Sequence, residues 1–479
     1  MHAKPFHHCR QTNKQINKNI NRSREVTIYN IITINYSSDQ VSNMPSSSSL
    51  LFSRRIGASL ASRSRRLLSS SSSLSATPHE PLAAGDLLEY SVVYTDRATN
   101  FMSAPFGDVY RGISSHLKDT YNASKCVLLP GSGTYGMEAV ARQFGNNEHA
   151  VVLRNGFFSF RWTQIFDQGG IVDSHTVLCA DARKDPVDGK PRLSLRPVDD
   201  VVAVIRSEKP ALVCMPHVET SVGMVVPHDY IRKVGAATRE VGGIFCLDGI
   251  ASGNVWIDME DLNIDSYITA PQKGWSAPAS CGVVMLGPRA EERLETTTSS
   301  SFSVDLKKWG EIMDAFTSGG FAYHTTPPTD SLVSFLGAIE ESKAFGLDKL
   351  EECTWKLGRR VRGSLEDSGF PSVVTEPELQ SPTVVVVHSD AADMAARFKG
   401  EGIQIAAGVP WMVGRDSACP TCAGRSSFDC SASCASWEED IAPHCPSSFR
   451  IGLFGLDKMR DVDRAASQFE GALANVAAI

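Results

Sequence analysis

The 479-residue chain has no apolar run approaching the ~18 residues of a membrane span, so a soluble protein is expected. No internal period of solenoid length recurs. Its Gly-rich loop, Gly131-Ser-Gly-Thr134, is not followed by a lysine, which excludes a Walker A phosphate site. Basic charge is scarce outside the N-terminal leader. Residues 80–479 hold 36 Lys/Arg against 52 Asp/Glu, a formal charge of −16. Such an acidic body argues against nucleic acid as a partner, because binding phosphate backbones needs a basic surface. The C-terminal Ala-Ala-Ile is not a peroxisomal Ser-Lys-Leu address.

Among the charges that are present, Lys273 stands out. It follows a short apolar segment (Tyr267, Ile268), has small neighbours, and precedes a second apolar stretch, Cys281-Gly-Val-Val-Met-Leu286. Burial disfavours the ammonium form and lowers a lysine pKa, which suits a nucleophilic amine that forms a Schiff base with an aldehyde cofactor. Upstream, residues 244–247 read as a buried strand ending in Asp248 and a Gly-containing turn. A carboxylate at the carboxyl end of a parallel strand faces the crevice where open α/β sheets bind ligands. There it can pair with the pyridine nitrogen of pyridoxal phosphate (PLP) and keep the ring an electron sink.

Three further stretches follow apolar strands. Behind Gly131-Ser-Gly-Thr134, the residues Met137, Val140, Ala141 and Phe144 fall at helical spacing. The loop therefore lies at a helix N-terminus, where free N–H groups and the helix dipole make a phosphate seat. Asn155-Gly-Phe-Phe-Ser-Phe-Arg161 offers Phe158 as a stacking face. In His217-Val-Glu-Thr-Ser-Val-Gly223, the hydroxyls of Thr220 and Ser221 suit a hydroxyl or phosphate ligand, with ordinary turn chemistry as the alternative.

In this order, Gly-Ser-Gly-Thr, Asn-Gly-Phe-Phe, His-x-Glu-Thr-Ser-x-Gly, Asp-Gly-Ile-Ala-Ser, Gln-Lys and Phe-Arg-Ile-Gly resemble the class V PLP-dependent aminotransferases of the alanine–glyoxylate and serine–pyruvate type. The resemblance runs from about residue 100 to 456, apart from one insertion. It implies the α/β architecture of PLP fold-type I, with a large domain on a mainly parallel sheet and a smaller C-terminal α/β domain. It implies Lys273 as the Schiff-base lysine and Asp248 as the pyridine-nitrogen partner. Ser132, Gly133 and Thr134, with Gln272, would hold the phosphate, Phe158 would stack on the ring, and Thr220 or Ser221 would contact O3′ or the phosphate. Arg450, in Ser448-Phe-Arg-Ile-Gly452, would grip the substrate carboxylate two-pronged. Tyr323 and Thr326 match the segment that reaches a neighbouring subunit's phosphate, so a homodimer is implied. The activity implied is transfer of an amino group from a small amino acid to a 2-oxo acid such as glyoxylate or pyruvate. A PLP lyase or cysteine desulfurase of the same fold is the alternative; those relatives place His before the lysine, and Gln272 stands here. Where the family has a Pro/Gly-rich loop over the substrate, this chain reads Tyr94-Thr-Asp-Arg-Ala-Thr-Asn-Phe-Met-Ser-Ala-Pro105, which leaves the substrate open.

Strands alternate with helical stretches over residues 80–330, the large PLP-binding domain. Residues 331–479 form the small domain, with long helices at 332–350 and 350–365, strands at 373–388 and 403–408, and a closing helix at 457–478. Arg450 and Lys273 come from different domains, which places the pocket between them.

Cys126, Cys179, Cys214, Cys246 and Cys281 sit in or beside apolar segments and read as buried free thiols. Cys419, Cys422, Cys430, Cys434 and Cys445 crowd into the insertion at 414–446. Cys419-x-x-Cys422 is half a zinc pattern without a second half, so no metal site is assigned and the insertion is expected to be a surface excursion. Residues 1–43 are polar and look dispensable. From Met44, an alternative start, the chain carries Arg54, Arg55, Arg63, Arg65 and Arg66 among serines, with no acidic residue before Glu80. That is the composition of a transit peptide, mitochondrial or else plastid.

Overall fold

Residues 87–96, 98–413 and 448–478 are described by the computed structural model; the leader and the Cys-rich insertion lie outside them. Strands β1 (Lys125–Pro130), β2 (His149–Arg154) and β3 (Ser174–Cys179) alternate with helices. A hairpin, β4 (Asp181–Lys184) and β5 (Pro191–Ser194), leaves the sheet before β6 (Leu212–Pro216) re-enters it. A second small hairpin, β7 (Val218–Glu219) and β8 (Met224–Val225), follows. Then come β9 (Ile244–Asp248), β10 (Ser266–Thr269) and β11 (Cys281–Leu286).

The central seven-stranded sheet has the order β1-β11-β10-β9-β6-β2-β3. Only β11 runs against the rest: it pairs antiparallel with β1 and β10, whereas β10, β9, β6, β2 and β3 are parallel. Helices cover both faces of such a sheet, so its strands are apolar throughout rather than alternating; β6, β9 and β11 are buried from end to end. Helix Gly133–Phe144 buries Met137, Val140, Ala141 and Phe144 on this sheet. Gly136 permits the close approach, since a Cβ there would stand 3.0 Å from Ile268 Cγ2.

A second core lies in the C-terminal part of the chain. Strands β12 (Val384–His388), β13 (Ala406–Ala407) and β14 (Ser448–Gly452) form an antiparallel sheet in the order β12-β14-β13. In β12, Val385 and Val387 pack with Leu357, Val361, Phe469 and Leu473 from helices Leu347–Asp367 and Val462–Ala477. Val384 and Val386 face the other way, toward Leu193, Val222 and Met224.

Several expected boundaries move. The long helices run Thr329–Phe345 and Leu347–Asp367, broken by Gly346 at φ 101°, a left-handed conformation that only glycine adopts without strain. The strand expected at 373–388 is limited to Val384–His388, because Pro377 opens a 3₁₀ turn before it. The strand expected at 403–408 shrinks to β13. The closing helix comes in two pieces, Leu456–Met459 and Val462–Ala477, and Asp461 caps the second by accepting from the Arg464 N–H. The five cysteines expected to be buried thiols are so. Among the described residues, no helix is long and apolar enough to cross a membrane, and no cluster of metal-ligating side chains occurs.

Candidate active site

Because β1 and β10 both oppose β11, the carboxyl ends of β1, β2, β6, β9 and β10 emerge at one edge of the sheet. The loops after these strands carry the residues singled out in the sequence. The glycines at 131, 133 and 136 also have the Gly-x-Gly-x-x-Gly spacing of a dinucleotide loop. The topology argues otherwise: β1 is an edge strand with an antiparallel neighbour and is separated from β2 by four strands, not the first strand of a parallel βαβ unit.

Lys273 sits in the turn after β10, half-buried, with Nζ 4.9 Å from the centre of the Phe454 ring. Burial lowers its ammonium pKa, the Arg450 charge lowers it further, and Asp248 opposes both. The turn is pressed onto another: a Cβ on Gly274 would lie 2.1 Å from the Gly253 carbonyl oxygen. Asp248 ends β9, with Oδ1 accepting from the Ile250 N–H at 3.0 Å. Burial pushes its carboxyl up to about 6, against that hydrogen bond; Glu219 raises it further, while Arg161 and Lys273 lower it.

At the phosphate-seat candidate, Ser132 is the N-cap of helix Gly133–Phe144, yet its hydroxyl caps no backbone N–H, and the first turn holds no acidic residue. Thr134 Oγ1 accepts from Arg161 Nη1 at 3.2 Å, so its hydroxyl proton is left for a ligand. Gly133 lies against Ile250, whose Cδ1 would be 2.4 Å from an added Cβ. Gln272 Oε1 is buried with no protein partner, as are Asn155 Nδ2 and His217 Nε2. Unpaired buried polar atoms are costly unless a ligand or water completes them.

Phe158 is half-buried, with the guanidinium carbons of Arg161 and Arg450 at 5.3 and 5.8 Å from its ring centre. Arg450 lies on β14, and its Nε donates to the Ala407 carbonyl at 2.9 Å. Among the described residues its two terminal nitrogens donate to no protein group, which leaves the fork for a carboxylate. Ser221 is fully buried; the Thr220 hydroxyl, in the turn between β7 and β8, makes no hydrogen bond to the described residues. Tyr323 and Thr326 are not brought to this group within one chain. Tyr323 is 60% exposed and stacks on Phe101, and Thr326 lines a separate cavity of about 270 Å³ with Phe101 and Asp330.

Three residues at the site carried no role in the sequence reading. Glu219 is buried and accepts from the loop after β2. His217 is buried with its pKa pushed down to about 3 by burial and by His228, so it is neutral, and its Nδ1 shares a hydrogen bond with Ser252 Oγ at 2.8 Å. Arg161 joins Thr134 to the face of Phe158. All three lie inside the motifs, and their roles appear only when separate loops meet.

Comparison with known proteins agrees with this geometry. The aminotransferase class-V family model matches residues 75–411. L-aspartate–glyoxylate aminotransferase of Paracoccus denitrificans is 24% identical over 278 residues, covering 58% of this chain and 66% of that enzyme, just under two thirds of its length. Alanine–glyoxylate aminotransferase 1 of Saccharomyces cerevisiae is 23% identical over 304 residues, covering 60% and 74%. The crystal structure of an alanine–glyoxylate aminotransferase from Nostoc sp. superposes with a TM-score of 0.62 at 20% identity, over 79% of this chain and 89% of that one. A lysine, an aspartate and a helix N-terminus gathered at one edge of the sheet thus have their counterpart in a family match across most of the chain: the protein belongs to the class V aminotransferases.

Proposed function

We propose that this protein is a PLP-dependent aminotransferase that moves an amino group from a small amino acid to a 2-oxo acid of the glyoxylate or pyruvate kind. The observation that carries the reading is the pairing of Lys273, its ammonium pKa lowered, with Asp248, its carboxyl raised to about 6, at the carboxyl edge of the sheet. Two groups whose environments push their pKa values toward neutrality are what proton transfer near pH 7 needs. The printed names of the relatives, which pair glyoxylate with aspartate or alanine, support the acceptor class.

The residues present fit PLP. Ser132, Gly133 and Thr134 at an acid-free helix N-terminus suit a phosphate group, and in Gln272, beside Lys273 in the chain, the side-chain NH2 is the group able to donate to it. Phe158 offers a ring face, and Thr220 and Ser221 offer hydroxyls. When bound, PLP supplies the electron sink that accepts the charge left at a substrate carbon after proton loss. Lys273 Nζ, neutral more readily than a solvated lysine, takes the proton from the substrate Cα and returns it. Asp248 holds a negative charge against the pyridine nitrogen. Arg450 fixes the substrate carboxylate, so that the Cα–H bond is presented to Lys273 in one orientation.

Borohydride reduction followed by peptide mapping tests the reading: the cofactor label belongs on Lys273. A panel of amino donors against glyoxylate, pyruvate and 2-oxoglutarate then identifies the pair. Absence of label, or turnover only by elimination or sulfur release, would overturn it. A homodimer is part of the proposal, supported by exposed Phe321 and Tyr323 close in sequence to Thr326. Mitochondrial delivery, with the plastid as alternative, is supported by the leader's composition alone, and a reporter carrying residues 44–85 tests it.

A further inference from the structure

We infer that Glu219 is a positioning residue of this site, a buried carboxylate that locks Phe158 and Ser221 into one unit and makes the Ser221 hydroxyl an acceptor only. The inference rests on the proposed reading of Phe158 and Ser221 as cofactor-facing groups.

Glu219 is 1% exposed and receives five hydrogen bonds from two loops about sixty residues apart in sequence. Its Oε1 accepts from Ser221 Oγ at 2.7 Å, from Ser221 N at 3.1 Å and from Phe158 N at 3.1 Å. Its Oε2 accepts from Ser159 Oγ at 2.8 Å and from Ser159 N at 2.9 Å. Helix Phe157–Gly169 has Gly156 at its N-cap, which has no side chain to bond the first free N–H groups. The Glu219 carboxylate supplies the missing cap from another loop, and its charge lies at the favourable end of the helix dipole. Gly156 is needed for the approach: a Cβ there would be 2.1 Å from Ser221 Oγ and 2.6 Å from Glu219 Cγ.

The hydrogen atoms can be assigned by elimination. A carboxylate accepts only, so the Ser221 hydroxyl proton points at Glu219 Oε1. One lone pair of Ser221 Oγ is taken by the Phe157 N–H at 2.9 Å. What remains on Ser221 Oγ is a single lone pair. Ser221 therefore cannot donate to a phosphate or to a phenolate; it can accept from a protonated hydroxyl, and the nearby Glu219 charge favours the protonated form as well. The same charge raises the Asp248 carboxyl and supports the Arg450 cation, so one buried anion acts on the ring, hydroxyl and carboxylate sides of the site together.

The test compares Glu219→Gln, Ser221→Ala and Ser159→Ala as full-length protein. PLP affinity of the apoprotein is measured by fluorescence titration, apoprotein Tm by unfolding, and the pH midpoint of the bound cofactor's visible absorbance by titration. Glu219→Gln should weaken PLP at least ten-fold and move the midpoint down by about one pH unit, because an anion and an enforced acceptor are both lost. Ser159→Ala, on the capping oxygen only, should lower Tm and leave the midpoint in place; Ser221→Ala should weaken PLP. Should Glu219→Gln fail to fold, the two serine variants decide the matter by diverging in this way. A lowered Tm with unchanged PLP affinity and midpoint in Glu219→Gln, or equal behaviour of the two serine variants, would make Glu219 a helix cap and nothing more. Unlabelled Lys273 in the wild type would instead bring down the reading beneath it.

Discussion

Asp248 holds a destabilising charge that the site keeps for use. Its carboxyl rises from 3.8 to about 6 in the folded chain. A raised folded-state pKa means a stabilising contribution that is full below about pH 4 and is lost as pH climbs through about 6. Apoprotein carrying Asp248→Asn should therefore be more stable than wild type at pH 8, by on the order of 2–3 kcal/mol, and about equal to it near pH 4. Urea unfolding at the two pH values measures this; PLP affinity should fall in the same variant, since Asn brings no charge to the pyridine nitrogen. Lys273→Ala should abolish borohydride labelling while leaving Tm nearly unchanged, because the ammonium makes no ion pair or hydrogen bond among the described residues and lies over the Phe454 ring. Arg450→Lys should raise KM for amino and oxo acids alike, a point charge replacing a two-pronged fork, with PLP still bound. Lys273 and Asp248 were legible because each comes after an apolar segment, and Arg450 because Ser448-Phe-Arg-Ile-Gly452 completes the order of the family motifs. Glu219 was not: its partners at Phe158 and Ser159 lie about sixty residues away, and no local pattern distinguishes a carboxylate that caps a distant helix from one in a turn.

At the scale of elements, the site depends on turns packed backbone against backbone. A Cβ at Gly274 would strike the Gly253 carbonyl, with oxygen at 2.1 Å and carbon at 2.6 Å, and neither can swing aside as a side-chain end can. Gly274→Ala should displace the Lys273 turn, cost about 2 kcal/mol or more, and weaken PLP; thermal unfolding and fluorescence titration read the two effects. Gly133→Ala meets Ile250 Cδ1 at 2.4 Å and Cγ1 at 2.6 Å, side-chain rather than backbone atoms, so its cost in Tm should be smaller than that of Gly274→Ala while the phosphate seat is narrowed. Sequence patterns located the strands of the main sheet because apolar runs covered on both faces have no other reading next to helical stretches. They overran the small domain's strands because burial there comes from distant partners. Val373 and Val374 are buried without belonging to a strand. The glycine spacing after β1 fits two kinds of phosphate loop, and strand order, a property of the whole sheet, separates them.

For the whole molecule, the Cys-rich insertion is the segment whose removal says most about what the catalytic fold requires. Its flanks are fixed close together. Ala407 pairs with Phe449 across β13 and β14, and the Gly408 N–H donates to the Ser448 carbonyl at 2.8 Å. The chain thus leaves and re-enters one antiparallel ladder, a connection that a short hairpin loop also makes. Trp411 is buried against Val222, Val384 and Val386 before the insertion begins, so residues up to 413 should be retained. Replacing 414–446 with a short Gly/Ser linker shortens the loop about four-fold and relieves about 1 kcal/mol of closure entropy. It leaves untouched Lys273, Asp248, Glu219 and the strand that carries Arg450. The shortened protein should fold, bind PLP with wild-type affinity and keep most of its transaminase activity. Loss of soluble protein on excision, together with stoichiometric zinc in the wild type by elemental analysis, would instead make the insertion a structural metal site that the ladder needs to close.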